Sequence, residues 1–274
     1  MNGKIAIQGI KGSYHHEVAD QLFGTATSLE ECLSFDALVD AVTAGIAPIG
    51  VMALENSIAG SIIPNYALID KNNLHIVAEA YICIEHQLMA LPNTQISEII
   101  EVASHPMALL QCKDFFVTHP HIKLIEDADT AEVAQRIAKK QLRGFGAIAS
   151  KTAAELYGLD IVAPNIHSIS NNTTRFVVVK TSPETSDGID KASLKFILDH
   201  KRGSLAAVLN VLSDCKLNLT KIQSMPVVET PWKYSFFVDV TFDEVAFYTK
   251  AIKLLEIMTE SLKVLGTYKN KLAK

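Results

Sequence analysis

Four polar segments carry side chains able to hold an anion or move a proton, and each lies beside a predicted strand. They are residues 9–14, 55–61, 104–112 and 171–176. In the first, Gly9 and Gly12 allow a tight turn, and Ser13 can cap the helix that follows. The free N–H groups at a helix start bind anions. The same segment also fits an ordinary strand–helix turn, so this motif alone leaves both interpretations open.

The second and third segments each follow a predicted strand. Open α/β sheets bind their ligands at the carboxyl ends of strands, which is where these polar groups fall. Their candidate functional residues are Glu55, Asn56, Ser57, Gly60, Ser104, His105 and Gln111. A helix cap with a turn and a capping histidine are the structural alternatives for the two segments.

The fourth segment is a cluster of polar donors that leads into a buried strand at residues 175–180. Its candidate residues are Thr173, Thr174, Arg175 and Phe176. The planar guanidinium of Arg175 suits a carboxylate, although a loop with a surface arginine would read the same. The histidines at 15, 16, 119 and 121 lack metal-ligand spacing with a third partner, so we expect no metal.

Strand-like and helix-like segments alternate through the first 180 residues, which predicts an α/β fold with largely parallel sheets. A helix is predicted over residues 106–118. Residues 181–190 are polar, contain Pro183 and Gly188, and form the clearest linker. From residue 191 to 274 the order becomes βαββαβ, the ferredoxin-like pattern. The predicted organisation is therefore a unit at 1–180, a linker at 181–190 and a second unit at 191–274.

Composition excludes several classes of protein. Apolar residues make up 49% of the 274, which excludes a disordered chain. The net charge of −5 argues against a nucleic-acid binder, and it divides unevenly into −10 for residues 1–190 and +5 for residues 191–274. The longest apolar run has 11 residues against the ~20 of a membrane span. With no secretory signal and four scattered cysteines, we expect a cytoplasmic protein with reduced thiols.

Taken together and in this order, the four segments closely resemble those of the prephenate dehydratase family over nearly the whole chain. Thr174-Arg175-Phe176 before an apolar strand is the most specific match. The C-terminal part looks like the ACT domain that follows the catalytic part in this family. The resemblance implies a two-lobed, periplasmic-binding-protein-like catalytic domain followed by a ferredoxin-like (βαββαβ) ACT domain.

The resemblance also implies an activity and a set of residue roles. Prephenate would lose CO2 and water to give phenylpyruvate in phenylalanine synthesis, and the resemblance implies no metal and no cofactor. Thr174 matches the family's essential hydroxyl, Asn56 and Gln111 match positions needed for activity, and Glu55 is either a second proton donor or structural. Residues expected to contact or brace the substrate are Ser13, Ser57, Gly60, Ser104, His105, Thr173, Arg175 and Phe176. Helix N-termini at Ser13, Ser57 and Ser104 are expected to bind its carboxylates.

The resemblance of the C-terminal part implies feedback by L-phenylalanine and pairing into a homodimer or homotetramer. The matching effector positions are Gly203, Ser204, Leu205, Asn218, Leu219, Gln223 and Ser224. The family's Glu-Ser-Arg-Pro stretch reads Gln223-Ser224-Met225-Pro226 here, which has lost one charge of each sign. His15 and Met107 also depart from the family pattern, at the expected rim of the pocket.

Two other functions remain open from the sequence. Arogenate dehydratase would use the same chemistry on a substrate with an amino group in place of the keto oxygen. A non-catalytic sensor of small anions is the alternative of another class, because two-lobed clefts and ACT modules both serve binding. The intact Thr174-Arg175-Phe176 set disfavours the sensor. No nucleic acid and no membrane partner is expected.

Overall fold

The computed structural model describes residues 3–184, 187–227 and 230–272. Contacts group the chain into two compact units. The first unit comprises residues 1–60 and 81–176, and the second comprises residues 61–80 and 177–274. No pattern in the sequence indicated that residues 61–80 group with the C-terminal part. Within the predicted linker, Thr185 and Ser186 lie outside the described residues.

Strands and helices alternate along the chain, as predicted. The strands are β1 (Ile5–Gln8), β2 (Leu29–Cys32), β3 (Ile49–Asn56), β4 (Gly60–Ser61), β5 (His75–Cys83), β6 (Gln87–Ala90), β7 (Glu101–Ser104), β8 (Lys123–Glu126), β9 (Phe145–Ala149), β10 (Asp160–Ala163), β11 (Thr173–Lys180), β12 (Lys191–Ile197), β13 (Asn218–Pro226), β14 (Tyr234–Thr241) and β15 (Ser261–Tyr268). The helices are α1 (Tyr14–Phe23), α2 (Phe35–Thr43), α3 (Ile63–Lys71), α4 (Pro106–Gln111), α5 (Lys113–Val117), α6 (Thr130–Lys140), α7 (Lys151–Tyr157), α8 (Ser204–Asp214) and α9 (Val245–Met258). No helix in these ranges is long and apolar enough to cross a membrane.

The first sheet has the strand order β2-β1-β3-β11-β5, with β4 paired to β3. β1 is parallel to both β2 and β3. The backbone N–H of Ser57 donates to the Thr173 carbonyl at 2.8 Å, and that of Ile84 donates to the Asn172 carbonyl at 2.7 Å. The end of β3 and the end of β5 therefore lie beside the beginning of β11. This arrangement brings the second and fourth polar segments together.

The second sheet has the strand order β10-β6-β9-β7-β8. β7 is parallel to β8 and β9, whereas β6 is antiparallel to β9 and β10. The sheet is therefore mixed rather than largely parallel. Apolar clusters cover both of its faces, one built with α6 and α7 and the other with α4 and α5. Burial on both faces accounts for the short apolar runs that marked these strands in the sequence.

The predicted helix over residues 106–118 is two helices. Its continuation would need the N–H of Phe115 to donate to the Gln111 carbonyl. Instead that N–H donates to the Cys112 carbonyl at 3.2 Å, and Ser168 N–H donates to the Gln111 carbonyl at 2.8 Å. The break therefore places Gln111 at the last position of α4, next to a loop contact that anchors its backbone.

The C-terminal sheet has the strand order β13-β14-β12-β15, and its neighbouring strands are all antiparallel. With α8 and α9, this is the ferredoxin-like arrangement, so the predicted α/β fold class is confirmed. Alternate residues of β12 point to opposite faces of the sheet. Ala192, Leu194 and Phe196 pack into the apolar cluster that includes residues of α8 and α9.

The other face of this sheet is polar and packs against residues 61–80. The Lys191 ammonium pairs with the buried Glu79 carboxylate at 2.8 Å. Asp70 of α3 pairs with Lys195 and, at 2.9 Å, with Lys263. A Cβ added to Gly266 would lie 1.9 Å from the Ile76 carbonyl oxygen, so β15 and β5 approach each other at van der Waals limits. The ferredoxin-like motif is thus covered on both faces within the second unit.

Candidate active site

The centre of the candidate site is a hydrogen-bonded pair, Asn56 and Thr174. Asn56 is the last residue of β3 and Thr174 the second of β11. The Asn56 Nδ2 group donates to Thr174 Oγ1 at 2.9 Å and to Asn172 Oδ1 at 2.6 Å. All three side chains are buried, with Asn172 fully inaccessible. The structure therefore joins two predicted catalytic residues that are more than a hundred positions apart.

Backbone amides in the turn after β3 fix the orientation of Asn56. Its Oδ1 accepts from Ile58 N–H at 3.0 Å and from Ala59 N–H at 2.8 Å. Because the oxygen is held by these two donors, the Nδ2 group faces the site. Ser57 reinforces the junction, since its Oγ donates to the Asn171 carbonyl and accepts from Thr173 N–H, both at 2.9 Å.

Gln111 joins the same network through Asn172 and a histidine. Asn172 Nδ2 donates to Gln111 Oε1 at 2.9 Å, and His86 Nε2 lies 2.9 Å from the same oxygen. The other ring nitrogen of His86, Nδ1, lies 3.0 Å from the Tyr14 hydroxyl. Burial lowers the pKa of His86 to about 4, so the ring is neutral at pH 7. Burial also raises the pKa of Tyr14 well above its ordinary value, with a further increase from the nearby Glu17 charge.

His86, Asn172 and Tyr14 complete the network, and none of them was among the predicted site residues. Asn172 and Tyr14 stood inside two of the polar segments. The signal for His86 was weaker: a lone histidine between the two apolar strands β5 and β6. Its partners lie 25 and 72 positions away, and no spacing rule connects them.

Successive side chains of a strand point to opposite faces of the sheet, which divides the remaining central residues between two faces. Thr174 and Phe176 share one face of β11, whereas Arg175 points to the opposite face, and Glu55 likewise lies opposite Asn56 on β3. Arg175 is buried at 3% exposure. The Phe176 ring meets the His15 ring edge-on at 4.9 Å. The structure thus places Phe176 as a packing partner behind Thr174.

His15, which departs from the family pattern, supports β3 from α1. Its Nε2 accepts from the Ala53 backbone N–H at 3.2 Å, beyond the point where β3 stops pairing with β1 at Val51. Burial lowers the pKa of His15 to about 3, which keeps this nitrogen an acceptor.

Of the three predicted helix N-termini, one is confirmed. Ser13 caps α1, and its Oγ accepts from His16 N–H at 3.3 Å. The prediction that Ser57 begins a helix is wrong, because β3 runs through a turn into β4, where Gly60 has a φ of +83°. Ser104 is the last residue of β7 and donates to the Ile148 carbonyl at 2.6 Å, so the exposed His105 is the cap of α4.

The predicted effector residues lie in the second unit and fall at two ends of its sheet. Gly203, at a φ of +85°, precedes α8, which begins with Ser204 and Leu205. Gln223 pairs with Phe237 and Ser224 with Phe236, so their side chains point to opposite faces. Asn218 and Leu219 pair with Thr241 and Val240, at the end of the sheet remote from Ile197 and the loop that leads to α8.

A cavity of about 120 Å³ lies beside the start of α8. Its lining residues are Leu198, Asp199, His200, Lys201, Ser204, Leu205, Lys233, Tyr234 and Phe236. Within the described ranges, no group of three or more His, Cys, Asp and Glu side chains is placed to hold a metal ion.

Comparison with known proteins decides the family. The model of the family described as prephenate dehydratase matches residues 5–184. The chain belongs to the prephenate dehydratase family. Its members are hydro-lyases, and the prediction made from the four segments is confirmed at this level.

Individual relatives extend over almost all of the chain. An Arabidopsis thaliana protein named arogenate dehydratase/prephenate dehydratase 2 is 35% identical over 97% of this chain and 72% of its own length. The chain spans 57% to 72% of the length of the curated relatives it matches. A prephenate dehydratase from Arthrobacter aurescens, solved in complex with L-Phe, has a TM-score of 0.87 at 24% identity and covers 97% of this chain and 90% of its own. A solved protein described as GqqA, a quorum quenching acylase, has a TM-score of 0.86 at 27% identity and covers 98% of both chains.

Proposed function

We propose that the network around Thr174 converts prephenate to phenylpyruvate. The observation that carries this proposal is the state of the Thr174 hydroxyl. Its oxygen accepts from Asn56, and within the described residues its own hydrogen has no acceptor. A buried hydroxyl with an uncommitted hydrogen is a donor held ready for a substrate oxygen. Membership of the family supplies the substrate class.

The chemistry explains why a hydroxyl is needed. Prephenate carries two carboxylates and a ring hydroxyl that leaves poorly. As one carboxylate departs as CO2, the electron pair of the breaking C–C bond enters the ring. The C–O bond then breaks, and the hydroxyl takes up one proton and leaves as water. Thr174 hydrogen-bonds to the departing oxygen or relays that proton to it, a contribution worth ~10²–10⁴-fold for general acid catalysis.

The neutral character of the network suits this substrate. Residues 1–190 carry a net charge of −10, so the general electrostatic field does not favour a dianion. Amide and hydroxyl donors, with the N-terminus of α1 at Ser13, bind carboxylates without bulk positive charge. Gln111 and Asn56 orient the substrate, and Arg175 and Phe176 brace the strand that carries Thr174. Glu55 remains either a proton donor or a structural carboxylate.

The C-terminal part is proposed to be an ACT domain, with residues 1–180 catalytic and residues 181–190 as linker. The cavity beside α8 supports an amino-acid effector, because Leu205, Tyr234 and Phe236 offer apolar walls. Its lining also carries both signs of charge, since Lys201 pairs with Asp199 of the same cavity and Lys233 pairs with Glu260, and an amino acid is itself a zwitterion. L-Phe is the proposed effector, since it is bound in the Arthrobacter aurescens protein. The protein is further proposed to act in the cytoplasm as a homodimer or homotetramer.

The effector proposal is tested by calorimetric titration of the full chain with L-phenylalanine. The full chain is required because residues 61–80 cover one face of the C-terminal sheet. Binding that is lost in Leu205→Asp and retained in Ile257→Asp supports the cavity, since Ile257 is an exposed residue of α9 that does not line it. Absence of binding to the wild-type chain rejects L-phenylalanine as the effector.

The activity is tested with purified protein and prephenate, by following the absorbance of phenylpyruvate. Thr174→Ala removes the hydroxyl and is expected to lower kcat by ~10²–10⁴-fold. Thr174→Ser keeps the hydroxyl and serves as the matched control, with most of the turnover retained. Near-wild-type turnover in Thr174→Ala would contradict the proposed role. A wild-type chain that leaves both prephenate and arogenate unchanged would reject the dehydratase and favour the sensor.

A further inference from the structure

The hydrogen bonds from Asn56 outward have a single allowed direction. Asn56 Oδ1 is committed to two backbone N–H groups, so both hydrogens on Nδ2 point to Thr174 and Asn172. Asn172 Oδ1 must therefore accept. Its Nδ2 is left to donate, and the acceptor at 2.9 Å is Gln111 Oε1. A backbone N–H can only donate a hydrogen bond, so the two amides in the turn after β3 fix the orientation of the Asn56 carboxamide. Asn56 in turn fixes Asn172, and Asn172 fixes Gln111.

The same reasoning sets the tautomer of His86. Gln111 Oε1 is an acceptor, so His86 Nε2, which lies 2.9 Å away, carries the hydrogen and donates it. The ring is neutral, so Nδ1 bears no hydrogen and is an acceptor 3.0 Å from the Tyr14 hydroxyl, whose one hydrogen it shares with the Glu85 carbonyl at 2.9 Å. Two donors thus converge on one oxygen of Gln111, from opposite ends of the network.

These two donors decide what Gln111 offers to a ligand. Its oxygen is used, and within the described residues its Nε2 group has no acceptor. We propose that His86 and Asn172 lock the Gln111 carboxamide with its nitrogen outward, which makes position 111 a hydrogen-bond donor that selects a substrate oxygen. His86 and Asn172 are then positioning residues, and Gln111 is the residue that touches the substrate.

The fixed orientation of Gln111 affects the choice between prephenate and arogenate, an inference that rests on the proposed function. Away from its hydroxyl, prephenate presents only acceptors: two carboxylates and a keto oxygen. Arogenate carries an ammonium group, a donor, in place of that keto oxygen. A site whose uncommitted polar groups are donors pairs with the first and leaves the ammonium without an acceptor. Sites built to hydrogen-bond one group discriminate strongly against an analogue that cannot pair.

Gln111→Glu tests the lock with little change of shape. One carboxylate oxygen still accepts from His86 and Asn172, while the outward group changes from donor to acceptor. We expect kcat/KM for prephenate to fall by about 100-fold, the size of effect seen when one positioned donor is removed. The value for arogenate should fall at least tenfold less, so that the ratio of the two shifts. An equal fall for both substrates would overturn the proposal.

A second pair of variants separates positioning from packing. His86→Gln keeps an N–H donor toward Gln111 Oε1, whereas His86→Leu removes it. We expect the preference for prephenate over arogenate to be retained in His86→Gln and lost in His86→Leu, with both proteins folded by circular dichroism. Equal preference in the two variants would show that His86 only fills space.

One measurement is independent of turnover. Nitrogen-15 NMR of the ring-labelled protein reports which nitrogen of His86 bears the hydrogen, and we expect Nε2. A hydrogen on Nδ1 would overturn the lock even if the enzyme is active. Conversely, an inactive wild-type chain with the hydrogen on Nε2 would reject the dehydratase activity and leave the orientation of Gln111 supported.

Discussion

Each of the two units buries a polar network, and the two networks are built from different groups. In the first unit, the network that includes Thr174 is built from neutral amides and a neutral histidine. In the second, the buried face of the sheet holds charges: Glu79 with Lys191, and Asp239, whose Oδ1 accepts from the Ser193 hydroxyl at 2.5 Å. Both networks join residues far apart in sequence.

The two networks serve different purposes: the ion pair stabilises the fold, whereas the amide network leaves hydrogen-bond donors for a ligand. A buried ion pair is tolerated when each charge has its partner, and removing one partner is costly. Such a pair has no direction and offers nothing further to a ligand. A chain of neutral amides has a direction, so fixing one end at Ile58 and Ala59 determines which donors remain at the other. It also adds no negative charge near a substrate that is itself a dianion.

The largest expected effect lies in the charged network. Lys191→Met removes the ammonium that pairs with the buried Glu79 carboxylate at 2.8 Å. We expect the free energy of unfolding to fall by about 3–5 kcal/mol, measured by urea denaturation of the full chain. A combined Glu79→Leu and Lys191→Met variant should recover much of that loss, because neither charge then remains buried.

A surface pair in the first unit is the matched control. Lys4 and Glu30 are 2.7 Å apart, close to the 2.8 Å of Lys191 and Glu79, but their side chains are 50% and 30% exposed. Lys4→Met should cost less than about 1 kcal/mol. If Lys4→Met and Lys191→Met destabilise the protein equally, the contrast between buried and exposed charge in this fold is wrong.

The next largest expected effect is a loss of folding stability in acid, which comes from protonation of His15 in the first unit. The pKa of His15 is lowered to about 3 in the folded protein, so the unfolded chain takes up the proton first as the pH falls below about 6.5. Stability from this residue is therefore complete above pH 6.5 and decreases toward pH 3, by at most about 1.4 kcal/mol per pH unit.

His15→Gln isolates this contribution from other titrating groups. The Gln oxygen can accept from Ala53 N–H without titrating, so the variant should lose less stability than the wild type between pH 6 and pH 4 in urea denaturation. Parallel pH profiles for the two proteins would mean that His15 protonation is not coupled to folding.

The smallest expected effect is the destabilisation caused by replacing a closely packed glycine with alanine, one glycine in each unit. Gly266→Ala would place Cβ 1.9 Å from a backbone oxygen, which cannot move alone, and should cost about 1–3 kcal/mol. In the second sheet, a Cβ at Gly146 would first meet the side-chain tips of Leu88 and Val102 at 3.1 Å. Gly146→Ala should therefore shift the thermal midpoint less than Gly266→Ala, and the reverse order would contradict the tight approach of β15 to β5.

Much of the fold was predictable because local patterns carry it. Apolar runs marked most strands, and the change of rhythm after residue 190 indicated the βαββαβ order. The sequence did not predict the break between α4 and α5 at Cys112 or the antiparallel direction of β6 and β10. The break depends on contact with a distant loop, and the strand direction depends on distant partner strands. Helix α3 was not assigned, since its residues show no clear apolar periodicity.

For the site, the sequence by itself determined the residue types: Asn56, Gln111 and Thr174 are named by motifs a few residues long. Only the tertiary structure decided which residues these side chains hydrogen-bond to. His86 and Asn172 enter the network through contacts 25 to 116 positions apart, and residues 61–80 group with the C-terminal sheet through the Glu79–Lys191 pair, 112 positions apart. Side-chain alternation and short motifs report neighbours along the chain, whereas the direction of a hydrogen-bond network and the partner of a buried charge depend on which segments the fold brings side by side.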